Sequence, residues 1–526
     1  MKRVAAVAFL VLAVGAYLAH GLSFGVCLQD DAFISLRYAR NLAAGRGLVY
    51  NPGERVEGYT NFLWTVASSL PFLAGWDAPA FLRGMGFASG ILALLAAAWL
   101  ARELVPGEPL APGAAAVLAA ACPWLVSESV MGLETAFFAA LAVAGVAARL
   151  AEHRQPRRFP WSGVLFGLAA LTRPEGLLVA GLVGLADLAE GFRRRREGGA
   201  FPGRRFLLRW SLVAVPVAAH LAFRVAYYGD IVPNTFHAKV GGGLLAAARG
   251  LRYAGDFALH SFPLLLAAAA GVILLRGGRD RDRGKQGFPW RFVPLGIALV
   301  YAAYVVKVGG DYKPTYRFFA TPTLFLVPWA GAGLAALARR AGRLALPVLG
   351  LFLLLAGGGS WALGGPTRAF VAWRASVLPV HRAAGRWLGQ HFPPDAWLAT
   401  GNAGVLPYES GLPTIDMYGL CDRHIALREM PRMGEGPPGH EKGDGKYVLD
   451  RRPRVILVMR ARFSDHPLSW PEVRALRLSV SEREIFADPR FRAEYELRHA
   501  RLPGFWFNWF ERKDASRSAG PAEEEP

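Results

Sequence analysis

Apolar runs separated by short polar loops recur through the first two thirds of the chain, and the pattern stops near residue 363. The runs fall at 4–24, 80–101, 111–126, 132–150, 160–171, 176–188, 210–227, 256–275, 292–306, 319–338 and 343–362. Crossing a bilayer core takes roughly 20 apolar residues, so the pattern predicts a polytopic α-helical membrane protein of about eleven spans. Runs 160–171 and 176–188 are short and flank Thr172-Arg173-Pro174-Glu175-Gly176. They are expected to be two short helices meeting near one membrane face, because one long helix would hold Arg173 and Glu175 at mid-depth, where charge is costly. Beyond 363 the spacing becomes that of a globular unit. A helix is expected over 381–391, a turn at Pro393-Pro394-Asp395, and short strands at 397–400, 413–416 and 455–459. This predicts an α/β domain over 363–513, with a polar, acidic and disordered tail at 514–526.

Composition fits this reading, with 53% hydrophobic and only 19% charged residues. A formal charge of +20 would suit nucleic acid, but the basic residues crowd the short loops 149–158, 193–209, 276–291 and 339–343. That is the signature of cytoplasmic loops, so nucleic-acid binding is set aside. The apolar stretch Tyr59 to Gly75 decides the topology. If it spans, the basic loops face outward; if it lies at the interface with Trp64 and Trp76, all of them and Lys2-Arg3 face the cytoplasm. The second reading gives a cytoplasmic N-terminus on an uncleaved anchor helix, a first outer loop at 25–79, and the α/β domain outside. Cys27, Cys122 and Cys421 do not form a disulfide framework.

The same topology places every conspicuous polar cluster on the outer face. Asp30-Asp31 opens the first loop, followed by a helical pattern from Asp31 to Ala44 that Gly45 ends. Glu128 and Glu134 flank the next outer turn, and Arg173-Pro174-Glu175 follows. Asp230, Asn234, His237 and Lys239 come next, then Gly309-Gly310-Asp311-Tyr312-Lys313-Pro314-Thr315-Tyr316-Arg317. Either aspartate could simply cap its helix. The functional reading is a carboxylate at the membrane–water boundary that takes a proton from an acceptor hydroxyl or holds a divalent cation. Arg173, Lys239 and Arg317 are outward cations at helix ends. Each could be an interfacial snorkelling side chain, but together beside carboxylates they suit a phosphate. No Walker A motif, HExxH motif or zinc-spaced Cys/His set occurs.

Several runs resemble bacterial GT-C membrane glycosyltransferases, in particular the terminal arabinofuranosyltransferase family of mycobacterial cell-wall synthesis and its bacterial relatives. They are Asp30-Asp31-Ala-Phe-Ile-Ser-Leu-Arg37-Tyr38-Ala-Arg40-Asn41, Gly47-Leu-Val-Tyr-Asn51-Pro52-Gly53, Val56-Glu57-Gly58-Tyr59-Thr60-Asn61-Phe62-Leu63-Trp64, Gly309-Gly310-Asp311 with Tyr316-Arg317, and Asp416-Met417-Tyr418-Gly419-Leu420 with Asp422. The resemblance implies a GT-C transmembrane domain over 1–362. It also implies a polyprenyl-phosphate sugar donor, a pentofuranose such as arabinose among the candidates, and a cell-envelope glycan acceptor outside a bacterial plasma membrane. Asp30 or Asp31 becomes the catalytic carboxylate, with Asp30 preferred. Arg173, Lys239 and Arg317 become phosphate ligands, and Arg37, Tyr38, Glu57, Tyr59, Asn61, Glu134, Asn234, Asp311 and Tyr316 become substrate contacts. The residues establish no cofactor; a divalent cation on Asp30-Asp31 is the one candidate, and leaving-group stabilisation comes from the Arg/Lys charges or from that metal. Rival readings are a lipid-linked glycan transporter, disfavoured by the lack of internal repeats, and a non-catalytic envelope or flagellar-motor-associated scaffold.

Overall fold

The computed structural model describes residues 2–199, 203–276, 289–431 and 433–513. Most of the basic stretch 276–291 and all of the tail 514–526 therefore lie outside the described residues. Seven described helices are long and apolar enough to cross a membrane, or up to nine if each of two bent helix pairs is one span. The difference from eleven lies in one place. Trp161–Thr172 has 12 residues, about 18 Å of helix, which is too short for the bilayer core. Glu175–Arg196 has the length, with 22 residues, but carries Asp187, Glu190 and four consecutive arginines. The two helices do meet at Arg173-Pro174, as expected.

Two expected spans are broken. Ala111–Ala121 and Pro123–Val130 diverge by 71°. Pro123 drives Cys122 into extended backbone (φ −81°, ψ 110°), as a residue preceding proline prefers. Gly243–His260 and Phe262–Leu275 diverge by 83°. The stretch after Tyr59 forms Phe62–Ala67 and Leu70–Ala74, two short helices rather than a span.

Arg317–Arg339 is the best-buried span, packed among Ala111–Ala121, Thr135–Arg154 and Phe262–Arg276. The long helices separate two polar ends. At the end carrying the basic loops, Asp187 accepts from Arg149 Nε at 2.7 Å and from Arg209 Nη1 at 2.8 Å. Arg209 Nη2 reaches Glu152 at 3.0 Å, and Trp290 Nε1 donates to Glu190 at 2.7 Å. All four of these charged partners of the network's core (Arg149, Asp187, Arg209, Glu152) are buried. Glu134 and Glu175 stand at the opposite ends of two of the same helices, and Arg317 begins the span Arg317–Arg339.

Helix Gly365–His391 leads from the last span into a mixed sheet. Its strands are β1 (Leu398–Thr400), β2 (Thr414–Asp416), β3 (Val455–Ile456), β4 (Phe463–Ser464), β5 (Tyr495–Leu502) and β6 (Phe505–Arg512). The order is β2-β1-β3-β6-β4, with β5 also on β6. β1 pairs in parallel with β2 and β3, and the β6 pairings are antiparallel. The first two strands match the sequence expectation, and the third is shorter than expected. The β5–β6 hairpin turns at Pro503-Gly504, where Gly504 takes φ +87°.

Candidate functional site

Asp30 and Asp31 begin helix Asp30–Ala43, whose N-cap is Gln29, with no side-chain capping bond. Neither aspartate caps its own helix. Asp30 reaches across to the α/β unit, where its carboxylate accepts from the backbone N–H of Gly404 (3.1 Å) and Val405 (3.0 Å). It thereby caps helix Val405–Ser410. Gly404 is required here, since a Cβ would lie 2.0 Å from the Asp30 carbonyl oxygen. Replacing an N-capping carboxylate costs roughly 1–2 kcal/mol. Asp30→Asn, which keeps one acceptor oxygen, should therefore lower thermal stability by that order and leave turnover within about tenfold of wild type. Calorimetry beside an activity assay checks both.

Asp31 points elsewhere. Its Oδ2 accepts from Lys313 Nζ at 3.2 Å and from Arg317 Nη1 at 3.3 Å. Oδ1 accepts no hydrogen bond from any described residue, and the side chain is 38% exposed. Arg317 is also tied through Nε to Asp311 at 2.5 Å. Burial pushes the Asp31 carboxyl up, but Lys313, then Arg317 and Lys239, outweigh it and hold it well below the usual carboxylate range. Burial likewise opposes the charge on Lys313, and Asp31 more than restores it. Lys239, at the end of helix Asn234–Lys239, makes no hydrogen bond or ion pair with any described residue.

The backbone is shaped to hold this cluster. Gly309 (φ +90°) and Gly310 (φ +63°) turn the chain after helix Val293–Lys307, and a Cβ on either would lie 2.6 Å from Arg249 or Tyr253. Tyr316, a non-glycine residue at φ 49°, starts the span Arg317–Arg339. That conformation costs roughly 1–2 kcal/mol. The Tyr316 hydroxyl bonds His260 Nδ1 at 3.0 Å, and its ring packs on Tyr253 and Phe257. A second ion network adjoins the first. Arg173 bridges Glu134 (2.7 Å) and Glu175 (2.9 Å), and Asn61 Nδ2 donates to Glu134 at 2.8 Å. Glu128 is buried, accepts from Thr135 Oγ1 at 3.2 Å, and has no partner for Oε1 among the described residues.

The structure thus brings Asp31, Lys239, Asp311 and Arg317 together, with Arg173, Glu134 and Asn61 alongside. The remaining expected contacts are engaged elsewhere. Arg37 is buried and donates to the carbonyls of Tyr50, Pro407 and Leu412 and to Asn51 Oδ1, locking the first loop to the α/β unit. Tyr38 bonds Val56 and Gly58, Glu57 pairs with Arg224, and Tyr59 bonds Tyr228. Asn234 donates to the carbonyls of Gly419, Leu420 and Asp422. The two aspartates diverge: Asp30 is held by two amides and Asp31 by two cations. No group of three or more His, Cys, Asp or Glu residues that could hold a metal ion occurs among the described residues.

Two participants escaped the sequence reading. Lys313 lies within the Gly309–Arg317 run and is the cation nearest Asp31. His440 lies in a loop of the α/β unit that returns to the site. Arg249 donates to the carbonyls of Gly309, Gly434 and Gly436, joining that loop to the Gly309-Gly310 turn. The His440 ring stands 5.3 Å from Tyr312 and 4.6 Å from Tyr418.

Two solved structures share this architecture. ArnT from Cupriavidus metallidurans, crystallised bound to undecaprenyl phosphate, superposes with a TM-score of 0.53 at 16% identity, over 78% of this chain and 85% of that one. An oligosaccharyltransferase from Archaeoglobus fulgidus, tethered with an acceptor peptide, superposes at 0.55 and 11% identity over 98% of this chain and 75% of that one. The fold is GT-C. In sequence, the chain is similar to two curated proteins named terminal β-(1→2)-arabinofuranosyltransferase. The one from Mycobacterium tuberculosis is 29% identical over 386 residues, 64% of this chain and 58% of the relative. The one from Corynebacterium glutamicum is 29% identical over 327 residues, 54% of this chain and 45% of the relative. The chain thus spans about half the length of the curated relatives it matches. Residues 372–510 match a family model described as a domain of unknown function, DUF8728. The resemblance expected from the motifs is borne out, and the chain is a multi-pass membrane protein of GT-C fold.

Proposed function

We propose that this protein is a membrane glycosyltransferase that moves a sugar from a polyprenyl-phosphate donor to a hydroxyl of a cell-envelope glycan. The carrying observation is the cluster in which Asp31 meets Lys313 and Arg317 while Lys239 stays unpaired. An unmatched cation beside a preorganised, partly exposed carboxylate suits an anionic donor whose anomeric carbon becomes positive as its phosphate leaves. Lys239 binds the charge the donor phosphate already carries, and Lys313 and Arg317 neutralise the further charge that develops as it leaves. Asp31, through its free Oδ1, stabilises the oxocarbenium-like charge on the sugar.

Two named relatives support the reaction class, and the undecaprenyl phosphate held by ArnT supports the lipid carrier. Arabinofuranose is the sugar those relatives suggest. With the basic end toward the cytoplasm, the site faces the outside of a bacterial plasma membrane, where lipid-linked donors replace nucleotide sugars. The polyprenyl tail then lies against the spans, with its phosphate at the Lys239 end.

Lys239→Ala removes one charge-assisted contact, about 1.5 kcal/mol. It should raise the KM for polyprenyl-phosphoryl arabinofuranose roughly tenfold with kcat little changed. An unchanged KM would remove Lys239 from the donor site.

A further inference from the structure

The catalytic carboxylate of this reading leaves one proton unassigned. Asp31 shares its Oδ2 between two cations, which makes it a good electrostatic partner for positive charge and a weak proton acceptor. The hydroxyl that attacks the sugar must still lose its proton.

We infer that His440, from the returning loop of the α/β unit, is the base that accepts this proton. The inference rests on the proposed glycosyl transfer and adds a residue to it. Three observations converge on this histidine. Its Nδ1 lies 3.1 Å from the carbonyl oxygen of Pro438. A carbonyl only accepts, so Nδ1 carries the hydrogen and Nε2 keeps its lone pair. Nε2 has no hydrogen-bond partner among the described residues.

The ring's place is also fixed. It stands edge-on to Tyr312, the neighbour of Lys313, and against Tyr418. A Cβ built on Gly439 would lie 3.2 Å from the Lys239 side chain, so the Gly439-His440 backbone runs along the unpaired cation. The loop itself is braced. Glu441 accepts from the amides of Gly434 (2.7 Å) and Gly436 (2.8 Å), and Arg249 clamps the same turn. A base carried on a braced loop of the α/β unit, beside Lys239, stands where an acceptor glycan would approach from outside.

The step balances without a further reagent. The bond between the anomeric carbon and the phosphate oxygen breaks as the acceptor oxygen bonds to that carbon. The acceptor's proton passes to His440 Nε2, polyprenyl phosphate leaves with the electron pair, and the imidazolium returns its proton to water.

The charges that bear on the ring are Asp31, Lys313 and Lys239. Burial, the largest influence, lowers its pKa; the Pro438 carbonyl and Asp31 raise it; Lys313 and Lys239 lower it further. The net direction is downward, so the imidazole is neutral at pH 7 and its acid limb lies below about 6.5.

The test uses the full chain in proteoliposomes with polyprenyl-phosphoryl arabinofuranose and a short arabinofuranosyl oligosaccharide. His440→Asn keeps an N–H donor where Nδ1 stands and removes the base. It should cut kcat about 10²–10⁴-fold with donor KM unchanged, and abolish the acid limb of the pH profile. His440→Ala should regain part of its turnover when free imidazole is added, a readout that a structural role would not move. Wild-type turnover accompanied by a His440→Asn rate within about twofold and the same acid limb overturns the inference alone. A wild-type protein that transfers nothing from this donor and does not bind polyprenyl phosphate overturns the glycosyltransferase reading and the inference with it.

Discussion

Asp31→Asn is expected to reduce sugar transfer by at least about 10²–10³-fold, the usual effect of removing a preorganised charge from a transition state. The substitution keeps the side chain's size and removes only its charge. Lys313 and Arg317 then lose the oxygen they share. Arg317 keeps Asp311 at 2.5 Å, while Lys313 keeps no ion-pair partner among the described residues. The cluster becomes more positive, so polyprenyl phosphate should bind at least as tightly as before. A large fall in kcat with an unchanged or lower donor KM is the expected signature, and it separates Asp31 from Lys239, whose loss should act on KM. The sign with pH follows from the cations that hold the carboxyl down. Asp31 stays ionised well below the ordinary carboxylate value near 3.9, so it contributes no limb to the activity profile between pH 5 and 8. A wild-type acid limb in that window belongs to another group.

At the other end of the bundle, Asp187→Ala should destabilise the protein by about 3–5 kcal/mol. Asp187 is buried and faces both Arg149 and Arg209, also buried. Removing it leaves two guanidinium groups facing a shared gap, with Glu190 (3.3 Å) and Glu152 (3.0 Å) as their remaining carboxylates. Breaking one side of such a pair costs more than the pair itself contributes, because the stranded charges stay desolvated. Thermal unfolding in detergent measures the effect. The protein that remains folded at low temperature should keep wild-type donor KM, since this network lies at the far ends of the helices that begin at Glu134 and Glu175.

The seven long spans were legible because apolar run length is a one-dimensional signal. The helix after Asp30, its stop at Gly45 (φ +71°) and the turn at Arg173-Pro174 could be read for the same reason. Where a helix breaks was harder to see. Cys122-Pro123 sits inside an otherwise continuous apolar run, and only the geometry before a proline separates it into two helices. The β5–β6 hairpin had a usable signal, Pro503-Gly504 between a run that mixes apolar and charged residues (Tyr495–Leu502) and an aromatic one (Phe505–Arg512).

The site was legible in its ingredients and not in its pairings. Two adjacent aspartates look interchangeable along the chain. On the first turn of a helix they diverge, and contacts some 280 and 370 residues away in sequence give one to Lys313 and the other to Gly404 and Val405. The polar residues of the long motif, Arg37, Tyr38, Glu57 and Tyr59, bond the first loop to its neighbours. Motif strength alone cannot separate that work from substrate contact. His440 had no such signal, since its place depends on a loop folding back from the α/β unit.

The measurement that bears most directly on this account is transfer of labelled arabinofuranose from a polyprenyl-phosphate donor, in proteoliposomes, by wild type, Asp30→Asn and Asp31→Asn in parallel. Expected are transfer by wild type, transfer within about tenfold of wild type by folded Asp30→Asn protein, and a loss of at least about 10²-fold in Asp31→Asn with donor binding intact. Full transfer by Asp31→Asn, or the same loss confined to Asp30→Asn, would contradict it.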